Sequence, residues 1–322
     1  MTARARPKGQ YDRRQNNRRV TLAPVTVLLP TVRWTDACDE VAAQLGSDDE
    51  LLILHDHETD AVADHEPGPE GVRFVAAGSP VGCSGKANAI AAGVQSATTD
   101  RLVLTDDDFH HPPTWLATMQ ADYERHGPVT ELPLFVGRDP LAVLLEPLYL
   151  VAVVAGLYAG RYPWGGAVIF DRSDLELAAF LTELTQTVSD DGLLGEHVET
   201  TAVRRFRRVP VGGRLHQSVE RHVRFTQIAF AHNPVTTAVG TVGLFALGVG
   251  CLVAPLLAAL VTGGAAALFI WADEPRWSAG LAVPVALLIM PLAVYALARS
   301  EFTWAGRRYR WRSKFNVQVV DE

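Results

Sequence analysis

Three adjacent carboxylates, Asp106-Asp107-Asp108, follow an apolar run and are the sharpest chemical signal in the sequence. Adjacent carboxylates repel one another, and a divalent cation bound by Asp106 and Asp108 would relieve that repulsion and hold a diphosphate. Their hard oxygen ligands suit Mg²⁺ or Mn²⁺. His110 could turn onto the same cation, or it could be an ordinary surface histidine. For the acidic run itself, the alternative is a solvated turn.

A second acidic pair, Asp190-Asp191, follows Ser189. A carboxylate that lies near a metal-bound diphosphate, and is not needed for the metal, is a candidate general base. The alternative is the acidic N-terminus of a helix, which the helix dipole would stabilise. The spacing alone leaves both interpretations open.

Basic groups that could bind phosphate occur at two places. Arg221 and Arg224 share one face of a helix and could clamp phosphates, although positive charge beside a membrane is the more common reason for such a pair. Lys86 and Asn88 lie at the predicted start of a helix after Gly85, where they could contact a phosphate or a ribose.

The elements that must position these groups alternate between strand and helix in the first third of the chain. Strands are predicted at four apolar runs: Val25–Leu29, Leu51–Leu54, Val72–Val75 and Leu102–Leu104. Helices are predicted over Asp36–Leu45 and, with Ser84 as N-cap, through Gln95. This order predicts an α/β fold with a mostly parallel sheet, whose ligands lie beyond the carboxyl ends of the strands. Asp56 and Asp106 both fall there.

Three long apolar segments follow. Leu141–Gly160 is predicted as an interfacial or buried helix, because acidic motifs assigned to one site lie on both sides of it. Val235–Trp271 would form a helix of roughly 55 Å, against a hydrocarbon core of roughly 30 Å. It is therefore one span plus a re-entrant piece, or two short spans broken near Pro255 or Gly263-Gly264. Trp277–Ala298 is long enough for a further span.

The charges that flank these segments predict their orientation. Arg204–Arg224 and Arg299–Lys314 are rich in arginine, while the loop at Asp273–Arg276 is net acidic. The positive-inside rule puts both basic flanks in the cytoplasm, which requires an even number of crossings. Two crossings are predicted, and three are the alternative. The chain is expected to be a multi-pass protein of the cell membrane with a cytoplasmic catalytic domain.

Composition bounds the remaining possibilities. The 322 residues are 48% hydrophobic and carry a formal net charge of −7. Residues 1–19 form a basic arm that is predicted to be disordered, and the acidic remainder argues against a nucleic-acid partner. Three widely separated cysteines show no metal or disulfide spacing and indicate a reducing compartment. The predicted domains are residues 20–234 for catalysis, 235–298 for two or three transmembrane helices and 299–322 as a basic tail.

Taken in order, the motifs resemble those of the inverting glycosyltransferases of family 2 with the GT-A fold, especially the ceramide glucosyltransferase-like membrane branch. The first strand is similar to that family's opening strand, whose end, here Pro30 and Thr31, cradles the nucleotide base. Asp56 matches the acidic residue that contacts the nucleoside. Gly85–Ile90 looks like the family's G-K-x-x-A-L helix start.

The resemblance continues through the metal and acceptor motifs. Asp106-Asp107-Asp108 matches the metal-binding D-x-D, and His110 lies where some relatives supply a third ligand. Gly165-Gly166 looks like the glycine-containing segment near the acceptor, and Asp190-Asp191 is similar to the acidic pair whose second member is the base. The (Q/R)-x-x-R-W motif is present as Arg221-x-x-Arg224-Phe225, with phenylalanine in place of tryptophan.

The resemblance implies a metal-dependent inverting hexosyltransferase. It would move a sugar from a nucleoside-diphosphate sugar, with a UDP-sugar as the expected donor, to a membrane lipid. Asp191 would take the proton of the acceptor hydroxyl, and Arg224 would help the metal neutralise the departing diphosphate. The alternatives are a membrane-anchored sugar-nucleotide-binding protein without turnover and a polysaccharide synthase.

Overall fold

The computed structural model describes residues 22–321, so the predicted arm at 1–19 lies outside the described residues. A mixed sheet forms the centre of the predicted catalytic domain, and we call its residues 22–232 the catalytic body. The strand order is β3-β2-β1-β4-β6-β5-β7. The strands are β1 (Val25–Pro30), β2 (Glu50–His55), β3 (Val72–Ala76), β4 (Arg101–Thr105), β5 (Val129–Gly137), β6 (Ala167–Asp171) and β7 (Thr201–Val211). Neighbours are parallel, except that β6 runs antiparallel to β4 and β5. The predicted α/β class and all four predicted strands are confirmed.

Helices cover both faces of this sheet. They are α1 (Asp36–Ala42), α2 (Gly85–Ser96), α3 (Trp115–His126), α4 (Pro140–Ala152), α5 (Leu177–Leu184), α6 (Asp190–His197) and α7 (Leu215–His232). Because β1, β2 and β4 are buried on both faces, their sequences are almost wholly apolar. The predicted cap of α2 forms, since the Oγ of Ser84 accepts a hydrogen bond from the backbone N–H of Ala87. A Cβ on Gly93 would lie 2.6 Å from a methyl group of Leu54, so glycine lets α2 pack tightly on the sheet.

Apolar helices follow the catalytic body. They are α8 (Pro234–Val253), α9 (Pro255–Trp271) and α10 (Ala282–Ala298), and a 3₁₀ turn at Trp277–Leu281 precedes α10. The break falls at Pro255, one of the two predicted places, because proline has no N–H to continue a helix and instead begins the next one. Within the described residues, three segments are long and apolar enough to cross a membrane: Pro140–Ala159, Pro234–Val253 and Trp277–Ala298.

Both ends of α10 contact the catalytic body. Before the helix, Nε of Arg276 lies 2.7 Å from a carboxylate oxygen of Glu146 on α4. After the helix, Nη1 of Arg299 lies 2.7 Å from a carboxylate oxygen of Glu220 on α7. Ion pairs with α4 and α7 therefore tie both ends of α10 to the catalytic body.

Residues 299–322, predicted only as a basic tail, contain an antiparallel sheet. Its strands are β8 (Glu301–Trp304), β9 (Arg307–Ser313) and β10 (Asn316–Asp321), in the order β10-β9-β8. The β8–β9 turn has two residues with positive φ, Ala305 at 49° and Gly306 at 83°, as a tight hairpin requires. The sheet packs on the catalytic body through a cluster that joins Phe302 and Tyr309 to Val188 and Val223.

Candidate active site

A cavity of about 340 Å³ lies beyond the carboxyl ends of β1, β2 and β4, where the strand order predicts ligand binding. The start of α6, one face of α7 and the β8–β9 hairpin form its other walls. Most of the predicted site residues line it: Pro30, Thr31, Asp56, Lys86, Asp106, Asp108, Asp190, Asp191, Arg221 and Arg224. The fold thus brings together groups that are more than a hundred residues apart.

Lys86 links the two predicted acidic motifs. From the first turn of α2, its Nζ lies 2.6 Å from Oδ1 of Asp106 and 3.3 Å from Oδ2 of Asp190. Burial raises the pKa of both carboxyl groups, and the ammonium group of Lys86 opposes that rise. The acidic run after β4 and the acidic pair on α6 therefore share one cation and form a single electrostatic unit.

Gly165 and Gly166 bring the backbone against the same carboxylates. A Cβ on Gly165 would lie 2.5 Å from Oδ2 of Asp190, and a Cβ on Gly166 would lie 2.8 Å from Oδ2 of Asp106. Real Cβ atoms do not approach oxygen so closely, so only glycine fits at either position. The two residues contact the carboxylates but do not belong to the cavity lining.

The other two carboxylates of the acidic run differ in their surroundings. Asp107 accepts a hydrogen bond of 2.6 Å from Oγ1 of Thr31, which fixes the end of β1 against the run. Burial raises the pKa of Asp108, and the nearby charge of Arg221 opposes the rise. A divalent cation fits Asp106 and Asp108, because it would offset both their burial and their mutual repulsion. Among the described residues, no three His, Cys, Asp or Glu side chains converge as a ready-made metal site, so other ligands would complete the coordination.

Asp191 lies in the first turn of α6 and lines the cavity. Its Oδ1 accepts hydrogen bonds from Oγ of Ser189 at 2.5 Å and from the backbone N–H of Gly192 at 2.8 Å. These contacts hold the carboxylate in one orientation, and within the described part of the chain Oδ2 has no hydrogen-bond donor. Asp191 thus combines a helix-capping contact with an oxygen that is able to accept a proton.

Arg224 is almost wholly buried against aromatic rings. Its guanidinium carbon lies 4.0 Å from the ring centre of Trp304 and 5.3 Å from that of Phe225. Burial, and then the charge of Arg221, lower the pKa of Arg224. Two arginines so close together in a buried wall are stabilised by an anion, and the diphosphate of a nucleotide carries the required charge.

Besides the two glycines, two further predicted site residues do not reach the cavity. Nδ1 of His110 lies 2.6 Å from Oε1 of Glu40 on α1, and its side chain is 71% exposed, so the imidazole does not join Asp106 and Asp108. The expectation of a third ligand is not supported, because Glu40 holds the side chain elsewhere. Asn88 donates to the carbonyl oxygens of Ala77 and Gly78 and so fixes the segment after β3.

The family model of glycosyl transferase family 21 matches residues 66–317. The chain belongs to glycosyl transferase family 21. Its predicted membership of a glycosyltransferase family is therefore confirmed, while the ceramide glucosyltransferase-like branch stays a prediction. No curated protein matches the sequence.

Solved structures give distant likenesses to this family 21 glycosyltransferase. Glucosyl-3-phosphoglycerate synthase from Mycobacterium tuberculosis, in complex with Mn²⁺, UDP-glucose and phosphoglyceric acid, is 15% identical, with 92% of this chain and 89% of that chain covered and a TM-score of 0.42. The same synthase with Mn²⁺ and UDP-glucose is 18% identical, with 64% and 79% covered and a TM-score of 0.41. A structure described as a mycobacterial protein is 17% identical, with 67% and 74% covered and a TM-score of 0.42.

The glycosyltransferase cavity also has lining residues that the sequence reasoning missed. Trp164 comes from the segment before β6, and Trp304, Arg307 and Tyr309 come from the C-terminal sheet. The signal that could have found the last three is the alternation of aromatic and basic residues over Phe302–Trp311, which is typical of a strand with one buried face. Its distance in sequence from the acidic motifs gave no indication that this sheet would return to the site.

Proposed function

We propose that this glycosyltransferase moves a sugar from a nucleoside-diphosphate sugar to the hydroxyl group of a membrane lipid, with inversion at the anomeric carbon. The observation that carries the proposal is a single cavity in which charged groups meet an apolar cluster. Its donor end holds the carboxylates that follow β2 and β4. Its aromatic end holds the rings of Phe135 and Phe225, whose centres lie 6.0 and 5.5 Å from the guanidinium carbon of Arg221 and which belong to an apolar cluster with α4 and α10.

The charges of the cavity support a donor that binds together with a divalent cation. Six aspartates line it, against one lysine and three arginines. We assign Asp106 and Asp108 as the residues that would hold Mg²⁺ or Mn²⁺, with Asp56, Pro30 and Thr31 at the nucleoside. The cation, when bound, would neutralise the diphosphate as it departs. Lys86, Arg221 and Arg224 lie where they could bind the remaining phosphate charge.

Asp191 is our candidate general base. Its Oδ2 would take the proton of the acceptor hydroxyl while that oxygen bonds to the anomeric carbon, and the bond from that carbon to the diphosphate oxygen breaks. One displacement without a covalent sugar–enzyme intermediate inverts the configuration. Asp190 is the less suitable base, because it is buried against the ammonium group of Lys86. We assign it a role in positioning Lys86.

A lipid acceptor is supported by the aromatic end of the cavity. The rings of Phe135, Tyr149 and Phe225 lie with centroids 5.6 Å apart in all three pairs. They share one apolar cluster with leucines of α4 and with Val285 of α10. A lipid whose chains lie among these helices could present its hydroxyl group to Asp191 without leaving its apolar surroundings. The ceramide glucosyltransferase-like resemblance supports the same class of acceptor.

We further propose that α10 does not cross the membrane, because both of its ends contact the catalytic body. In this arrangement α8 and α9 together leave the catalytic side and return to it, so the number of crossings stays even. The exposed apolar side chains of α10, among them Leu288, Val294 and Leu297, then face lipid. The arginine-rich flanks support a cytoplasmic position for the catalytic body.

The direct test is sugar transfer by the full chain in its membrane. Membranes that contain the protein are incubated with labelled UDP-, GDP- and other nucleotide sugars in Mn²⁺, and the lipids are then extracted. We expect label from one donor in a lipid fraction, in linear proportion to the amount of protein. Label in a long polymer would favour a polysaccharide synthase, and binding without any transferred label would favour a non-catalytic protein.

A further inference from the structure

The β8–β9 hairpin covers the donor end of the cavity from outside the GT-A sheet. Trp304, Ala305, Arg307 and Tyr309 all line the cavity, although the apolar helices separate them in sequence from every acidic motif. Tyr309 is 1% exposed and forms part of the cluster that fixes the sheet on the catalytic body. The hairpin is therefore a firmly packed wall of the site.

Arg307 is the first residue of β9, and its side chain lies against the start of α2. Its Nη1 is 2.6 Å from Oδ2 of Asp56, and a Cβ on Gly85 would lie 2.9 Å from the same nitrogen. The guanidinium group thus occupies the space that the absence of a side chain at Gly85 leaves open. It stands next to Lys86, the residue that reaches the carboxylates of Asp106 and Asp190.

Two further contacts fix the hairpin against the site. Oη of Tyr309 accepts a hydrogen bond of 3.1 Å from the backbone N–H of Gly85, which ties β9 to the first residue of α2. At the turn, the ring of Trp304 stacks on the guanidinium group of Arg224 at 4.0 Å. The hairpin consequently touches the donor site at both Asp56 and Arg224.

We propose that the C-terminal sheet is part of the donor site and that Arg307 binds the diphosphate of the nucleotide sugar, an inference that rests on the proposed function. A guanidinium group carries donors enough to pair with a carboxylate and a phosphate at once, and its planar fork matches phosphate oxygens. Asp56 therefore orients Arg307 as well as facing the nucleoside. Together with Lys86, which contacts Asp106, Arg307 supplies positive charge to the diphosphate.

If Arg307 binds the diphosphate and not the nucleoside, its loss should weaken binding of a nucleoside diphosphate but not of the corresponding nucleoside. Full-length protein in lipid nanodiscs is titrated with UDP, GDP, CDP and ADP in Mn²⁺, and the nucleotide that binds wild type most tightly is compared with its own nucleoside. Arg307→Ala is expected to weaken diphosphate binding, and to raise the donor KM, by about 10- to 100-fold, the scale of a lost charge-assisted hydrogen bond. Binding of the nucleoside and the acceptor KM should change less than about threefold.

Arg312→Ala is the matched control, because Arg312 is exposed on the same strand and does not line the cavity. It should leave both affinities unchanged. If Arg307→Ala does not fold, Arg307→Lys keeps the charge but not the fork and should show a smaller loss of the same kind. Wild-type affinity for the diphosphate in either Arg307 variant, or an equal loss for nucleoside and diphosphate, would overturn the proposal. A wild type that binds nucleotide but transfers no sugar would overturn the proposed function alone.

Discussion

The two ends of the cavity are built in different ways. At the donor end, Asp56 and Asp106 each follow directly after a buried parallel strand, so the sheet alone determines where they lie. At the aromatic end, which we propose for the acceptor, the lining residues Phe135 and Phe225 come from β5 and α7 and pack against Tyr149 of α4, so this end forms only in the folded chain. The donor end therefore depends on local chain order, whereas the acceptor end depends on how the apolar helices pack against the catalytic body.

The largest expected effect is on the chemical step, where the two ends meet. Asp191→Asn should lower the rate of transfer by about 10²- to 10⁴-fold, because general-base catalysis contributes on that scale. Donor affinity should hardly change, since the diphosphate is bound elsewhere. Initial rates and nucleotide binding are measured on the same preparation.

Asp36→Asn supplies the control for Asp191→Asn, because Asp36 is an exposed aspartate in the first turn of another helix. It should leave transfer unchanged. If Asp191→Asn keeps full activity, Asp191 is only a helix cap, and the base must be sought at Asp190 or elsewhere.

A smaller effect is expected in the metal requirement of the donor end. Asp108→Asn should raise the Mn²⁺ concentration for half-maximal activity by about 100-fold or more, because even the outer partners of metal ligands contribute 10- to 100-fold. His110→Ala should leave the Mn²⁺ titration unchanged, since its imidazole pairs with Glu40. A shifted titration in His110→Ala would mean that the histidine turns to the cation when the donor binds.

The acidic run, His110 and Arg307 illustrate which features could be predicted from the sequence and which could not. The four strands and the position of the acidic run followed from apolar runs and the carboxylates after them, because both patterns are local. The direction of the His110 side chain depends on Glu40, which is distant in sequence, and no local rule gives it. The return of Arg307 to Asp56 was equally inaccessible, although the alternating residues of β9, predicted only as part of a basic tail, could have indicated a strand there.

A third prediction concerns the side of the membrane on which the loop between α9 and α10 lies. The three native cysteines are buried, so a membrane-impermeant maleimide should report only introduced thiols. Pro275→Cys places a thiol in the exposed loop before α10. In intact cells we expect it to stay unlabelled, like a control Arg312→Cys in the C-terminal sheet, and to react after permeabilisation. Labelling of Pro275→Cys alone in intact cells would restore α10 as a crossing helix.

The smallest effect is expected at Tyr149, on the acceptor side. Its Oη is buried and has no hydrogen-bond partner within residues 22–321, while its ring packs against Phe135 and Phe225. An unsatisfied buried hydroxyl is unfavourable, so Tyr149→Phe should leave the free energy of unfolding unchanged or raise it by up to about 1 kcal/mol. Tyr149→Ala, which also removes the ring, should cost about 3–5 kcal/mol. Both are measured by thermal unfolding in the same detergent, together with the acceptor KM.

Because the aromatic end is apolar in our proposal, Tyr149→Phe should keep the acceptor KM within about twofold. A clear rise in that KM would instead mean that the hydroxyl binds the polar head of the acceptor, so that this end recognises the lipid by hydrogen bonding as well as by apolar contact.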